Sequence, residues 1–290
     1  MMSRPSVLII TGHGVNCEAE SRHAWELAGA EVDLLHLHDL LEQPSTLSDY
    51  GAVMFIGGFS YGDHIGSGQV MSVRLRNHCR ESLQDFIEAG KLILGVCNGF
   101  QVMVKLGLLP GLDGDYFTQQ LALMQNDCGT FQNVWVDLAF ESVSPCVFTK
   151  GLDRMELPVR HGEGKIFTLD KTVLRRAEDA GCVACRYVDP NTGEPTMRFP
   201  HNPNGSLNAI AGLCDPTGRI FGLMPHPEAY LVSQNHPRWD FKSPDDILSS
   251  AGHGLRLFRN AVAHLASISH CRTKVERCSR VVQNTEGNRQ

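Results

Sequence analysis

The chain has 290 residues, enough for one large α/β domain or two smaller ones, and 42% of them are apolar while 20% are charged. This composition is typical of a globular protein with a full core, and it excludes the disordered, fibrous and membrane-spanning classes. With 26 basic and 32 acidic side chains the formal net charge is −6, so we predict neither nucleic acid nor a membrane surface as a partner.

The N-terminus leads directly into an apolar run, residues 7–10, that is too short for the core of a signal peptide. No stretch approaches the roughly 20 apolar residues that a membrane-spanning helix needs. We therefore expect a cytoplasmic protein in a reducing compartment. There the ten cysteines serve as free thiols, metal ligands or catalytic groups rather than as disulfides.

The first hundred residues alternate short apolar runs with helical patterns. The runs cover residues 7–10, 32–37, 52–56 and 92–96, and the helical patterns cover residues 18–28 and 75–87. This alternation is typical of βαβ units and predicts a parallel sheet with helices on both faces. Ligand sites in such sheets open at the carboxyl ends of strands, so the residues after Ile10, Ile56 and Val96 are the first candidates.

After residue 110 the strand-like runs become shorter and turn sequences separate some of them. The runs cover residues 121–125, 133–139, 183–187, 209–214 and 220–224. They predict antiparallel strands at the edge of the parallel sheet. A last amphipathic helix is predicted over residues 254–266. We assign residues 1–266 to one domain and 267–290 to a flexible tail, and we predict no role for residues 235–242.

The strongest local motif is Gly95-Val-Cys97-Asn-Gly99, between a strand-like run and a helical pattern. It is the cysteine form of a nucleophile elbow, in which glycines flank the nucleophile because side chains there would collide with the neighbouring strand and helix. The N-terminus of a helix also favours the thiolate. We predict Cys97 as nucleophile and the Asn98 N–H as an oxyanion donor; the alternative is a small thiol buried between glycines.

A second motif, Pro225-His226-Pro227-Glu228, follows the last strand-like run. The prolines stiffen the loop, and Glu228 can accept a hydrogen bond from the imidazole and so fix its tautomer. We predict a triad in which Cys97 attacks, His226 carries the proton and Glu228 orients His226. Taken alone, the motif could equally be a rigid surface turn.

A glycine-rich loop, residues 57–63, follows the strand-like run that ends at Ile56. Adjacent glycines let backbone N–H groups approach a ligand, so we predict a second oxyanion donor around Gly58 and Phe59. The alternatives are a plain connection or a phosphate loop. The Gly-Lys-Ser/Thr of a nucleotide-binding P-loop is missing, so ATP is not expected here.

Other cysteines and histidines give weaker signals. Cys182 and Cys185 have the spacing of a redox or zinc pair but no second pair, which favours core packing. His36 and His38 alternate on one strand face without a third ligand, which favours polar strand-end residues. Cys17, in the first loop, could lie near the site but lacks flanking glycines. We predict no metal site.

Together, the motifs at residues 95–101 and 225–228 resemble those of the class I, or triad, glutamine amidotransferases. The strings at residues 15–18, 57–63, 161–164 and 202–206 resemble one branch of that family, the glutaminase subunits of phosphoribosylformylglycinamidine synthases of purine biosynthesis. The resemblance extends from about residue 7 to residue 266. It implies the flavodoxin-like α/β fold of class I amidotransferases, a mainly parallel sheet with helices on both faces and an added antiparallel portion.

The resemblance also implies roles for individual residues. Cys97 would attack the carboxamide of L-glutamine, His226 would protonate the departing ammonia and then activate water, and Glu228 would orient His226. Gln101 would help to hold the amino acid end of the substrate. The loop of residues 161–164, with His161 and Glu163, would lie beside the active site and face a partner subunit.

The same resemblance implies no cofactor in this chain. It implies two partners, a large synthase subunit that uses ATP and Mg²⁺ and a small bridging subunit. With the ammonia, the synthase would convert formylglycinamide ribonucleotide to its amidine. Ala229, where the family commonly has arginine, and His13 in the first loop depart from the family pattern, which bears on partner docking rather than on hydrolysis.

Two other function classes remain open on the residues alone. One is a free-standing cysteine hydrolase or peptidase of a related flavodoxin-like fold, whose base usually follows the elbow directly, where this chain has Asn98. The other is a catalytically silent subunit that serves as a regulatory binding module. A complete set of Cys97, His226 and Glu228 disfavours the silent subunit.

Overall fold

The structure of the chain is a computed structural model that describes residues 4–239 and 252–268. The predicted tail lies outside the described residues from position 269 onward, and so does the part of the 235–242 stretch from position 240 onward. No helix within the described part is both long enough and apolar enough to cross a membrane.

The first half of the chain forms the predicted βαβ units. Its strands are β1 (Ser6–Thr11), β2 (Glu31–His36), β3 (Ala52–Phe55) and β4 (Leu92–Val96), and its helices are α1 (Glu18–Ala28), α2 (Leu37–Glu42), α3 (Gln69–Glu88) and α4 (Asn98–Leu106). Helix α1 ends at Gly29, whose φ of 102° is readily adopted only by glycine. Of these eight elements, only the short helix α2 has no counterpart in the sequence prediction.

The second half contains more strands than predicted. Its strands are β5 (Ala122–Gln125), β6 (Gln132–Phe140), β7 (Arg154–His161), β8 (Glu163–Phe167), β9 (Val183–Tyr187), β10 (Ile210–Cys214) and β11 (Ile220–Leu223), its first helix is α5 (Lys171–Asp179), and a last helix, α6, covers residues 255–268. Strands β7 and β8 and helix α5 were not predicted. The 161–164 segment, predicted as a loop, is instead the tight junction at which β7 ends and β8 begins.

Among the described residues, nine strands form one sheet in the order β2-β1-β3-β4-β11-β10-β9-β6-β7. The pairs from β2 to β11 are parallel, and those from β11 to β7 are antiparallel. Strands β5 and β8 form a separate antiparallel pair. The predicted class, a parallel sheet with an antiparallel portion, is therefore confirmed.

The central parallel strands are buried on both faces, as their continuous apolar sequences require, whereas the edge strand β2 is partly exposed along its length. Every residue of β3 and β4 is buried, and so are residues 7–10 of β1. On one face Trp25 of α1 meets Phe258 of α6 edge to face, with 5.3 Å between ring centroids. The opposite face is covered by α3, whose Leu75 and Leu83 are fully buried.

The antiparallel half curls back over the carboxyl ends of the parallel strands. Strand β7 is an edge strand of the sheet, four places from β11, yet the Pro158 carbonyl in β7 accepts a hydrogen bond of 2.8 Å from the His226 N–H. Two residues further along β7, the Arg160 carbonyl oxygen lies 3.5 Å from the Cys97 sulfur. Strand β7 thus forms a wall across the ends of β4 and β11.

Candidate active site

Cys97 sits between β4 and α4 in a backbone conformation that few L-residues adopt, with φ 52° and ψ −106°. The flanking glycines make this turn possible. A Cβ on Gly95 would lie 2.3 Å from the Met103 sulfur, and a Cβ on Gly99 would lie 1.9 Å from the Phe55 carbonyl oxygen of β3. The strand, turn and helix have the geometry of a nucleophile elbow.

His226 and Glu228 follow β11, the strand that pairs in parallel with β4. The His226 Nδ1 lies 2.6 Å from Glu228 Oε1, and both side chains are almost fully buried. With a carboxylate at Nδ1, the ring keeps its proton on that nitrogen and presents Nε2 for proton transfer. Nε2 is buried and has no hydrogen-bond partner within the described residues.

The electrostatic surroundings of His226 favour its charged form. Burial by itself lowers the pKa of the imidazole, but the charge of the Glu228 carboxylate and that of a Cys97 thiolate oppose this effect, and the net result is a pKa well above the usual value. The Cys97 sulfur is therefore within electrostatic reach of the ring. Such a site can hold a thiolate and an imidazolium side by side.

Two backbone N–H groups are placed to bind an oxyanion. Asn98 is the first residue of α4, so its N–H has no partner within the helix. Gly58 lines the same cavity as Cys97, and its N–H makes no hydrogen bond among the described residues. The sequence predicted a second oxyanion donor around Gly58 and Phe59. Gly58 is the better donor of the two, because the Phe59 N–H already donates to the Gly14 carbonyl at 2.7 Å.

A buried network of side-chain amides ties the elbow helix to its surroundings. Asn98 accepts a hydrogen bond of 3.2 Å from the Ser60 N–H and donates one of 2.9 Å to Gln101, which in turn donates to the Glu163 carbonyl at 2.6 Å. Both polar ends of the Gln101 amide are thus engaged by protein. Its predicted role in holding substrate stays a prediction; the observed contacts hold α4 against β8.

Two cavities meet at this site. One, of about 130 Å³, is lined on one side by Cys97 and Gln101 and on the other by His161 and Glu163. The other, of about 210 Å³, is lined by Cys17, His226 and the first loop. They share Gly58, Phe59, Phe131 and Arg160. The rings of Phe59 and Phe131, both exposed by about half, lie 6.1 Å apart where the cavities meet.

His161 was predicted to lie near the site or to face a partner, and the structure places it in the wall of the cavity. Its side chain is only 2% exposed, so it cannot contact a partner directly. Nδ1 pairs with the Asn126 side chain at 3.2 Å. Burial, reinforced by the charge of His226, lowers the pKa of His161 to about 3, so the ring is neutral near pH 7.

Sequence reasoning missed three residues at the site. Arg160 lines both cavities, and Asp63 and Ser67 line the smaller one, where the Ser67 hydroxyl donates to Asp63 at 2.9 Å. Burial raises the pKa of Asp63, although the Ser67 hydrogen bond opposes this shift. Arg160 could be found only once β7 was recognised. Asp63 was visible as the last residue of the glycine-rich loop.

Of the weaker candidates, Cys17 lies at the site beside His226, and the others lie away from it. Cys182 and Cys185 are fully buried around β9, in agreement with the core packing predicted for them. His36 accepts a hydrogen bond from the His38 N–H at the start of α2, and His38 pairs with Glu42. Every cysteine in residues 4–239 and 252–268 is a free thiol.

Comparison with known proteins agrees with this geometry. The model of the CobB/CobQ-like glutamine amidotransferase domain matches residues 4–265. The chain is 42% identical over 266 residues to the phosphoribosylformylglycinamidine synthase subunit PurQ of Methanococcus maripaludis, an alignment that covers 90% of this chain and 97% of that protein. It is 41% identical to the protein of the same name from Dehalococcoides mccartyi, over 90% of this chain and 98% of that one.

Solved structures show the same relationship. A chain of the structure of PurLQS from Thermotoga maritima superposes with a TM-score of 0.64 at 29% identity, over 90% of this chain and 99% of that one. A glutamine amidotransferase from Thermotoga maritima, at 18% identity and a TM-score of 0.53, shares the fold. The resemblance predicted from the motifs is confirmed: the chain belongs to the family of CobB/CobQ-like glutamine amidotransferase domains.

Proposed function

We propose that this chain is the glutaminase subunit of a phosphoribosylformylglycinamidine synthase. It hydrolyses L-glutamine to glutamate and ammonia and delivers the ammonia to a synthase subunit. The observation that carries the proposal is the convergence of Cys97 with the His226–Glu228 pair at the ends of adjacent strands. The curated relatives named PurQ, which align over nine-tenths of the chain, support the choice of this synthase.

In the first half of the reaction Cys97 attacks the carboxamide carbon of glutamine. The negative charge that develops on the carboxamide oxygen is stabilised by the N–H groups of Gly58 and Asn98. His226 transfers its proton to the leaving nitrogen, the carbon–nitrogen bond breaks, and ammonia departs. A glutamyl thioester then remains on Cys97.

In the second half His226, now neutral at Nε2, takes a proton from water, and the hydroxide attacks the thioester carbon. The carbon–sulfur bond breaks, glutamate leaves, and the Cys97 thiolate and the protonated His226 are restored. Glu228 stays ionised throughout and holds the ring. Each turnover consumes one glutamine and one water and produces one glutamate and one ammonia.

The partners follow from the same proposal. A large synthase subunit would use ATP and Mg²⁺ to activate formylglycinamide ribonucleotide, and a small bridging subunit would complete the complex. The printed description of the Thermotoga maritima structure, PurLQS, supports a complex with more than one kind of subunit. This chain itself needs no cofactor for the hydrolysis.

The proposal is tested by separating the two nitrogen sources. In the reconstituted complex, Cys97→Ala abolishes glutamine-dependent synthesis but leaves synthesis from added ammonium intact. Cys17→Ser, which alters the neighbouring thiol, retains both activities and serves as the matched control. Loss of both activities in Cys97→Ala would make Cys97 structural. If the Cys97→Ala complex still synthesised product from glutamine, the nucleophile would be a different residue.

A further inference from the structure

A third cavity lies away from the proposed active site and is much larger than the cavity against Cys97. Its volume of about 740 Å³ falls within the roughly 300–1,000 Å³ of most ligand pockets. Its walls are the segment of residues 141–152, which joins β6 to β7, and one face of helix α6. Among the described residues, none that lines it also lines a cavity of the catalytic site. The hydrolysis described above gives this cavity no role.

The cavity lies at the opposite end of the sheet from the catalytic residues. In its wall the Val147 N–H donates to the Gly218 carbonyl at 2.9 Å, and Gly218 belongs to the turn that leads into β11. His226 follows the other end of the same strand. Because β11 separates the two places, a molecule bound in this cavity does not touch the catalytic groups. A site here is therefore independent of the proposed function.

Hydrogen bonds join the two walls and fix the shape of the cavity. From α6, the Asn260 amide donates to the Phe148 and Lys150 carbonyls, each at 2.9 Å. One turn earlier on the same helix, Arg256 donates to the Gly151 carbonyl at 3.2 Å. A ligand therefore meets a site that is already formed, as is usual for small-molecule pockets.

One corner of the cavity combines free backbone donors with a positive charge. The consecutive N–H groups of Lys150 and Gly151 make no hydrogen bond within the described residues, and the Lys150 ammonium forms no ion pair with a described carboxylate. Glu141 is the only carboxylate among the described lining residues, and it is bonded to Arg186 at 2.7 Å. Successive free N–H groups beside a cation form an anion-binding corner.

The imidazole of His264, in the α6 wall, lies within electrostatic reach of two cations. Burial lowers the pKa of this ring, and the charges of Arg219 and Lys150 lower it further. Its Nε2 is buried and has no hydrogen-bond partner among the described residues. Positive charge thus collects on this side of the cavity without a matching carboxylate, and an anionic ligand supplies the missing negative charge.

We propose that this cavity binds a small sugar phosphate, with its phosphate group beside Lys150, Gly151 and His264. A phosphate has the charge and the acceptor oxygens that this corner lacks. The rest of the wall offers the Ser142 and Ser267 hydroxyls together with aliphatic side chains, which suit the hydroxyl groups and the carbon skeleton of a sugar. In the described part of the chain the His264 imidazole is the only aromatic ring in the wall, so the cavity lacks the aromatic side chains on which nucleobases commonly stack.

Binding is tested by isothermal titration calorimetry of the full-length chain with ribose 5-phosphate, inorganic phosphate and ribose. We expect ribose 5-phosphate to bind more tightly than either of its two parts, because the phosphate corner and the remaining wall both contribute contacts. Equal affinity for inorganic phosphate contradicts a sugar phosphate site. Absence of ribose 5-phosphate binding overturns the proposal as a whole.

Two matched pairs of variants locate the ligand, and all four positions are exposed, so the substitutions leave the core intact. Ala263→Phe fills the cavity from α6 and abolishes binding, whereas Ala266→Phe places the same ring on α6 outside the cavity and leaves binding unchanged. Lys150→Ala removes a charge-assisted hydrogen bond and weakens binding by at least about tenfold. Lys171→Ala, at the start of α5, has no effect. Unchanged binding in Ala263→Phe would mean that the ligand lies elsewhere.

The position of the phosphate is read from His264 by NMR titration. A phosphate beside the ring favours the imidazolium form, so ribose 5-phosphate raises the pKa of His264 and ribose does not. His264→Gln identifies the signal of this ring by removing it. An unchanged titration of His264 at saturating ribose 5-phosphate contradicts the assigned position. None of these measurements uses turnover, so their outcome does not depend on whether the chain hydrolyses glutamine.

Discussion

At Cys97 the backbone is held in a conformation that costs about 1–3 kcal/mol for an L-residue other than glycine, and the surrounding contacts impose it. Gly99 lets α4 lie directly against the Phe55 carbonyl, and Gly95 leaves room for Met103. The strain therefore points the sulfur away from the strand and toward the cavity. This is a structural reason for glycines on both sides of a nucleophile, independent of any comparison.

We predict that Gly99→Ala destabilises the protein by more than about 4 kcal/mol or prevents folding, because the new Cβ would lie 1.9 Å from a backbone oxygen. Helix propensity alone would favour alanine by about 1 kcal/mol, so a loss has to come from the steric clash. Urea unfolding measures the change. Gly12→Ala, whose Cβ would meet nothing nearer than 3.5 Å, is the control and changes stability by less than about 1 kcal/mol. Equal stabilities of the two variants would contradict this account.

The second prediction at this scale concerns Glu228→Gln, which keeps the shape of the side chain but removes its charge. Burial then dominates, so the pKa of His226 falls. The imidazolium is lost at lower pH, and the alkaline limb of the glutaminase pH profile moves to lower pH. The rate falls by roughly 10²- to 10⁴-fold, the range for removal of a triad acid or a general base.

The change in the pKa of His226 is measured directly by NMR titration of its ring. The Cys97→Ala protein provides a reference, since it removes the smaller of the two charges that raise this pKa and keeps the larger. We expect a greater fall in Glu228→Gln than in Cys97→Ala. An unchanged His226 titration in Glu228→Gln would show that the carboxylate does not set the charge of the ring.

At the scale of elements, local sequence patterns predicted the parts of the site that each element builds alone. The strand, elbow and helix around Cys97 could be read from residues 92–106, because burial, glycine spacing and helical periodicity all agree there. Strand β7 was not predicted. Its residues alternate between polar and apolar, with Arg154, Glu156 and Arg160 at every second or fourth position, but the proline at position 158 in the middle of the run argues against a strand.

The missed strand explains why Arg160 was missed. Arg160 and His161 end β7, and only the curl of the sheet brings them to Cys97. Contacts across more than sixty positions of the chain leave no local pattern in the residues that make them. The same holds for β11, which inserts beside β4 after a long excursion, so the pairing of Cys97 with His226 could be inferred from chemistry but not from spacing.

Burial of His161 at the end of β7 makes the stability of the protein depend on pH. Its folded pKa of about 3 lies below the unfolded value of 6.5, so the unfolded chain takes up a proton first as pH falls. The free energy of unfolding therefore falls progressively as the pH falls from about 6.5 to about 3. Near pH 5 the contribution of His161 is a loss of roughly 2 kcal/mol relative to pH 7.

We predict that His161→Asn reduces the fall in unfolding free energy between pH 7 and pH 5 by about 2 kcal/mol. An asparagine nitrogen can take the place of Nδ1 beside Asn126, so part of the local hydrogen bonding survives. The readout is the difference between the two pH values in urea unfolding, not the absolute stability, which the lost ring volume also changes. An identical pH dependence in both proteins would contradict the burial of a neutral His161.

At the scale of the whole molecule, the site lies where two differently built halves of one sheet meet. The parallel half supplies Cys97 and the oxyanion donors, and β11, at the boundary between the halves, leads into His226. The antiparallel half supplies the wall formed by β7. The Asn98, Gln101 and Glu163 contacts hold β8, the strand that follows this wall, against the elbow helix. Any movement of the antiparallel half therefore changes the space available over Cys97.

That space is small in the isolated chain. The cavity against Cys97 has about 130 Å³, below the roughly 300–1,000 Å³ of most ligand pockets. We predict that the isolated subunit releases ammonia from glutamine slowly, and that a synthase partner with its nucleotide substrate speeds this release by opening the wall. Such coupling also prevents hydrolysis of glutamine without synthesis.

The measurement is glutamate release by the chain alone, with the partner, and with the partner plus formylglycinamide ribonucleotide and ATP. Gln101→Leu, which removes both hydrogen bonds of the amide that joins α4 to β8, weakens the lock and raises the rate of the isolated chain relative to its rate in the complex. A substrate-binding role for Gln101 predicts the opposite, a rise in KM in both states. Fast turnover by the unmodified chain without any partner would show that the closed cavity does not limit the reaction.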